Sequence, residues 1–228
     1  MKRTALTIVS MILLITLTNA QEKSHDAVSG ATKKESTLIK LDKPKFENQT
    51  SLYEALKNRK STRSFADKNL SKQDLSNLLW AAAGINRENG GRTVPLLGDI
   101  QIYIAMKDGV YLYKPKHNVL KRVLKEDIRS EISPQEPVKN AAAVFIMTID
   151  DSSFAPYMKQ AMEEAHGMDF YYGNQVAYST QNIYLYAASN NMNAVVIGGF
   201  HRKKVDKMLK LKEGHHSYLI QLVGYKSK

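Results

Sequence analysis

The sequence predicts an α+β fold, a sheet flanked by helices, on three observations. Residues 100–106 alternate Ile100, Ile102, Ile104 and Met106 with other side chains as far as Asp108-Gly109, and an apolar stretch resumes over 110–113, the signal of a β-hairpin. Residues 141–149 make a continuous apolar run of strand length, suited to a strand buried in the middle of a sheet. Several other segments carry apolar residues at helical spacing, and this mixed order, with no internal repeat, gives layers of helix on sheet.

In chain order, residues 1–20 open with Lys2 and Arg3, continue as an apolar run broken only by Thr and Ser, and end on Thr18-Asn19-Ala20. This is the layout of a secretory signal peptide cut after Ala20, so the chain is expected to be exported, periplasmic or secreted. The run is shorter than the about 20 residues of a comfortable span, and an uncleaved N-terminal anchor is the other reading. The chain has no cysteine, which excludes a lipoprotein anchor and requires stability without disulfides. Residues 21–50, polar and without a sustained period, read as a flexible leader, and 51–228 as one domain with a full core.

Ser51 with Glu54 is a capping box opening a helix that carries Leu52, Ala55 and Leu56. Ser71 starts a second helix with Leu75, Leu78, Leu79, Ala82 and Ala83 on one side, Trp80 packed there and Gly84 as its stop. Helices are expected at 155–166 and 171–191, strands at 194–198 and 218–224, and a basic helix over 202–211. The 171–191 helix spreads Tyr172, Val176, Ala177, Ile183, Tyr184, Ala187 and Ala188 around most of its circumference, which places it in a core or a subunit interface.

The formal charge is +11, and +9 once Lys2 and Arg3 leave with the signal peptide, 31 basic residues against 22 acidic ones. Export and the scatter of lysines without interleaved aromatics argue against nucleic acid. Anionic lipid headgroups, an acidic redox partner and a merely soluble basic exterior are the readings left, the last being the plainest.

The stretch 59–65 (RKSTRSF) concentrates Arg59, Lys60 and Arg63 with the hydroxyls of Ser61, Thr62 and Ser64. Arginine presents a planar fork of donors to phosphate oxygens and hydroxyls add short hydrogen bonds, so the segment suits a phosphorylated ligand without a glycine-rich loop. Read alone, it is a solvated C-terminal turn answering the helix dipole before it is a site. Likewise Gly198-Gly199 alone is an ordinary turn after a strand, and Gln181-Asn182 are interface polar groups or a satisfied buried pair. The histidines lack metal-ligand spacing, so no metal is expected, and no G-x-S-x-G elbow, Walker loop or dinucleotide fingerprint occurs. Met158, Met162 and Met168 read as core filling.

The Arg-x-Ser-x-Arg-x-Phe pattern at Arg59, Ser61, Arg63 and Phe65 resembles the opening of the nitroreductase family, FMN enzymes in which this segment holds the phosphate and part of the ring. Four more blocks fall in the family's order: 75–84 (LSNLLWAAAG) with Ile85-Asn86; Arg92-Thr93-Val94-Pro95 before Gln101-Ile102-Tyr103-Ile104; Asp169 through Gly173 to 181–185 (QNIYL); and Val196-Ile197-Gly198-Gly199-Phe200. The similarity covers residues 50–225, and the branch most resembled is the SagB-type dehydrogenase-like one. It implies a nitroreductase-like fold with a central, mainly antiparallel sheet, and a homodimer holding FMN between subunits. By the same resemblance Arg59, Ser61 and Arg63, helped by Lys60, contact the phosphate, ribityl or pyrimidine side of FMN. A cation near the pyrimidine carbonyl stabilises charge on the reduced ring. Gly198 and Gly199 admit the ring against bare backbone, Pro95 and Asp99 belong to the loop beside it, and no side chain is catalytic because the chemistry is at flavin N5.

Two departures from the family pattern stand out. Where the branch has Pro-Ser-Ala-x-Asn, this chain has Pro95-Leu96-Leu97-Gly98-Asp99, and a carboxylate at Asp99 cannot donate to a flavin carbonyl as an amide does. The usual Gly-Leu-Gly after the long helix is Asn191-Met192-Asn193, where Asn tolerates the left-handed conformation. A C-terminal basic pair on the phosphate corresponds either to Lys226 and Lys228 or to His201 and Arg202.

In the leader, residues 26–32 (DAVSGAT) resemble the motif at which a flavin transferase of exported proteins joins FMN to a threonine through a phosphoester, here Thr32. As residues alone they are a small-residue spacer. A flavin on Thr32 reaches Arg59 across 26 residues of flexible chain, or serves as a second carrier. Together the resemblances imply an exported FMN-dependent oxidoreductase passing electrons to a small organic acceptor in two half-reactions. The family's donor is NAD(P)H, scarce outside the cytoplasm, where a membrane electron chain or redox partner serves instead. The alternative is a non-enzymatic electron-relay subunit or a degenerate binding protein.

Overall fold

The computed structural model describes residues 37–45, 47, 50–95 and 99–227. The signal peptide, the 26–32 motif with Thr32, residues 96–98 and Lys228 lie outside them. The chain runs through β1 (Leu38–Lys40), α1 (Leu52–Asn58), α2 (Lys72–Ala83), β2 (Asp99–Met106), β3 (Gly109–Lys114), β4 (Val119–Leu124), α3 (Arg129–Ile132), α4 (Glu136–Asn140), β5 (Ala143–Asp150), α5 (Pro156–His166), α6 (Met168–Ser189), β6 (Met192–Ile197), α7 (Arg202–Met208) and β7 (His215–Tyr225). The strands form one sheet in the order β1-β4-β3-β2-β5-β7-β6, and every neighbouring pair is antiparallel, as the resemblance implies.

β5 is the strand expected from the 141–149 run, and its unbroken apolar character follows from burial on both faces. Phe145, Met147 and Ile149 enter a core closed by Leu78 and Leu79 of α2, Met162 of α5 and Ile183 of α6. Val144 and Ile146 enter a second core closed by Ile132 of α3, Val138 of α4 and Val205 of α7. Burial of each of these side chains contributes about 1.5–3 kcal/mol. The methionines behave as core filling: Met162 is buried, with Met158 and Met168 packed against the same core.

The predicted hairpin is β2–β3, with Met106 opposite Gly109. Gly109 has φ 137°, and a Cβ there would lie 2.5 Å from the Leu124 carbonyl oxygen, so the turn demands glycine. Half of the α1 capping box forms: Ser51 Oγ accepts from Glu54 N at 3.1 Å, while the Glu54 carboxylate accepts from Asn58 Nδ2 at 2.9 Å instead of turning back. Of α1's apolar residues only Ala55 is buried; Leu52, Tyr53 and Leu56 are 62%, 84% and 46% exposed.

Three expectations need correction. The leader ends before residue 50, because Leu38–Lys40 pairs with β4 and Leu41 is buried; backbone pairing at a sheet edge needs no apolar pattern. β4, α3 and α4 carry no side-chain pattern that announces them, since each is short and β4 mixes the exposed Lys121 and half-buried Arg122 with its apolar residues. The basic helix stops at Met208, and β6 begins at Met192 after Asn191 turns the chain at φ 56°, the left-handed role expected of it. Among the described residues no helix is long and apolar enough to cross a membrane.

Candidate functional site

Arg59 ends α1, its N–H bonded to the Ala55 carbonyl at 2.9 Å, and the chain leaves the helix extended. It then runs along the outer edge of β6. Ser61 bridges Ala194 in parallel fashion, and Thr62 N donates to Ala194 O at 2.9 Å. The alternation of an extended chain puts Arg59, Ser61 and Arg63 on one side and Lys60 and Thr62 on the other. The Arg59 guanidinium lies 5.2 Å from the centre of the Tyr184 ring, and Ser61 Oγ is 2.8 Å from the Tyr184 hydroxyl. That hydroxyl also accepts from Val196 N at 2.8 Å. Beyond Ala194, then, α6 satisfies the edge of β6 through one tyrosine.

Past Arg63 the segment crosses the end of β6 and β7. Asn193 Nδ2 donates to Ser64 O at 2.7 Å, and Ala66 N donates to Tyr225 O at 3.0 Å. The Phe65 ring sits so close to Gly224 that a Cβ there would be 2.9 Å from Phe65 Cδ1. Arg63 is exposed and, like Lys60, has no hydrogen-bonding or ionic partner among the described residues. Lys226 lines the same small cavity as Lys60 and Thr62. His201 and Arg202 lie past the glycine turn, where Arg202 donates Nε to Ser217 O and stacks on Tyr218 at 5.0 Å. Of the two alternatives for a C-terminal cation, the structure brings Lys226 to the basic segment.

Gly198 and Gly199 follow β6 at its other end, both exposed. The turn is held from outside: Gln135 Nε2 donates to Gly199 O at 3.2 Å and His201 N to Ile132 O at 2.9 Å. A Cβ on Gly199 would meet nothing within 4 Å. Ala194 and Gly198 are four positions apart, about 13 Å of strand. One strand edge thus carries unpaired cations and a hydroxyl at one end and bare, open backbone at the other. That donor set and that open turn fit a mononucleotide whose phosphate needs cations and whose ring needs unobstructed backbone.

Pro95 and Asp99 are not gathered there within one chain. Asp99 begins β2, three strands from β6 and so about 14 Å away at the usual strand spacing. The loop before it is pinned to the helices, with Thr93 Oγ1 donating to Trp80 O at 3.0 Å and Asn182 Nδ2 donating to Thr93 O at 3.4 Å as well as to Ala81 O at 2.9 Å. Asn182 is therefore satisfied, but Gln181 is exposed, so the two are not a buried pair. Tyr184, Asn193 and Gly224 complete the arrangement, and no sequence signal marks them: Tyr184 is one of several tyrosines on a helix that also carries Gln175, Ser179, Thr180 and Asn182. No group of three or more His, Cys, Asp or Glu among the described residues could hold a metal ion.

The nitroreductase family model matches residues 56–225. A protein of Methanocaldococcus jannaschii named as a nitroreductase is 29% identical over 189 residues, covering 77% of this chain and 91% of its own. A Ralstonia eutropha protein described as a nitroreductase superposes with a TM-score of 0.74 at 30% identity, over 85% of this chain and 91% of its own. The NADPH:FMN oxidoreductase of Vibrio harveyi, solved with NAD+, has the same fold with a TM-score of 0.55 at 17% identity, over 78% of this chain and 69% of its own. The family pattern spans most of the sequence, and the sheet and helices of a relative superpose on those of this protein: the chain belongs to the nitroreductase family of oxidoreductases.

Proposed function

We propose that this chain is an exported, FMN-dependent oxidoreductase of the SagB-type dehydrogenase-like branch, passing electrons from a donor to a small organic acceptor. The supporting observation is the single β6 edge that joins Arg59, Ser61 and Arg63 to the open Gly198-Gly199 turn. Bound FMN would supply the redox chemistry at N5, in separate half-reactions with donor and acceptor. The chain binds and orients. Arg59 and Arg63 hold the phosphate and pyrimidine sides, Lys60 and Lys226 add positive charge, Ser61 contributes a hydroxyl fixed by Tyr184, and Gly198 and Gly199 present backbone N–H groups.

The working unit is a homodimer. A second copy brings Pro95 and Asp99 to the cleft that one chain leaves without them, and it covers Leu52, Tyr53 and Leu56 of α1. The donor is a nicotinamide, as the NAD+ in the Vibrio harveyi structure illustrates for that enzyme, or, outside the cytoplasm, a redox protein or membrane electron chain. The 26–32 motif adds covalent attachment of FMN at Thr32 by a flavin transferase. Asp99, standing where the branch has an amide, favours the second reading of an electron-relay or binding protein without turnover.

Acid precipitation of protein purified from an exporting host tests these readings together. Yellow colour retained in the pellet and lost in Thr32→Ala supports covalent flavin; colour released to the supernatant supports the non-covalent site. A protein that stays colourless when mixed with excess FMN overturns the flavin assignment.

A further inference from the structure

A cleft of about 550 Å³ opens between the 65–69 loop, the β2–β3 turn and the α3–α4 region, and it shares no lining residue with the cavity at Lys60 and Lys226. One of its acidic groups is already compensated. Arg129 Nε and Nη2 donate to Asp127 Oδ1 and Oδ2 at 2.9 and 2.6 Å, and Nη1 donates to Ala141 O at 2.6 Å, with the arginine side chain only 11% exposed. These bonds from Arg129 hold the Asp127 carboxyl below the ordinary carboxylate range, and the charge of Lys107 acts the same way.

The rest of the polar lining is dominated by cationic donors. Lys68, Lys107 and Lys139 bring three ammonium groups, against which only the Asp67 carboxylate is uncompensated. Lys68 Nζ lies 4.5 Å from the centre of the Tyr225 ring, a contact that orients it without neutralising it. Lys107 and Lys139 have no hydrogen bond or ion pair with any described residue, nor do the amide of Asn69 and the hydroxyl of Ser130. A lysine ammonium has donors and no acceptor capacity, so this exposed set faces water in the chain alone and is open to the acceptor oxygens of a ligand. The cleft has the size of small-molecule sites, and Phe65, Ala66, Ala141 and Ala142 give it an apolar side.

We propose that this cleft binds a small, multiply charged oxyanion, a phosphate ester or a polycarboxylate, apart from the basic segment 59–63. Three ammonium groups around one cavity complement several negative charges at once, which a monovalent anion does not offer. The 65–69 loop belongs to the same run of chain as Arg63, and Ala66 and Lys68 both rest on Tyr225, so an occupant here bears on the loop that carries the cations of the other site.

Calorimetric titration of the full-length protein, preincubated with excess FMN, with pyrophosphate and separately with citrate tests this. Saturable binding of one or both anions is expected, weakened at least about tenfold in the Lys107→Gln/Lys139→Gln double variant. Which anion binds more tightly assigns phosphate or carboxylate as the preferred chemistry. Lys116→Gln/Lys212→Gln, which removes the same charge elsewhere, is expected to leave binding within about twofold. Equal loss in the two double variants, displacement of the anion by FMN, or absence of binding at about 10 mM of either anion overturns the proposal. The substituted lysines are exposed, so unchanged thermal melting is the check that the variants fold.

Discussion

The hydroxyl of Tyr184 lies 2.8 Å from Ser61 Oγ and 2.8 Å from the backbone nitrogen of Val196, so one side chain of α6 ties the cationic segment to the edge of β6. With the Arg59 guanidinium over the same ring, a residue that never needs to touch a ligand holds two that are placed to do so. Tyr184→Phe keeps the ring and removes both hydrogen bonds. Stability is expected to fall by about 1–2 kcal/mol in denaturant titration, and FMN affinity about three- to tenfold in fluorescence titration. Unchanged affinity alongside the stability loss would assign Tyr184 to the sheet edge alone.

Gly199→Ala separates packing from binding. The added Cβ meets nothing within 4 Å in the chain, so thermal melting is expected to stay within about 0.5 kcal/mol of the parent. Flavin occupancy should fall, because the methyl group occupies the space proposed for the ring. A variant that binds FMN as the parent does moves the ring away from this turn.

Gly224→Ala has the opposite signature. Its Cβ would sit 2.9 Å from Phe65 Cδ1 and 3.2 Å from Phe65 Cβ, so the 63–66 segment must shift. A loss of about 1–3 kcal/mol is expected, partly restored by Phe65→Leu in the same chain, and a double-mutant cycle measures the coupling. Additive effects of the two substitutions would deny the contact.

Alkaline unfolding follows from the buried phenols. Burial is the first cause that pushes Tyr113, Tyr186 and Tyr218 up to about 12 from 10.0. Because the folded-state values are raised, the stability they contribute is present below pH 10 and is lost as pH rises through about 12. Tyrosinate absorbance should therefore rise late and together with loss of near-ultraviolet circular dichroism. A set of phenols that all titrate near their ordinary value before any unfolding would contradict the burial.

Much of the architecture was legible because it rests on side-chain pattern. The 141–149 run, the alternation of Ile100, Ile102 and Ile104, and the one-sided leucines of α2 each record which faces are covered, and those faces are the ones buried. β1 was illegible for the complementary reason: Leu38–Lys40 is recruited by backbone hydrogen bonding at a sheet edge, which any residue but proline can supply. The exposure of Leu52 and Leu56 was hidden too, since periodicity shows that a helix has an apolar face and not what covers it.

The amino-acid sequence by itself determined the residue types of the candidate site and their spacing: cations and hydroxyls alternating after α1, and two glycines after an apolar strand. Only the tertiary structure decided that these lie at the two ends of β6, that Tyr184, 123 positions from Ser61, anchors the first of them, and that Lys226 rather than Arg202 joins it. The physical reason is that chemical capacity is local to a side chain, whereas proximity between distant segments is set by which strand edges and helix faces pack together.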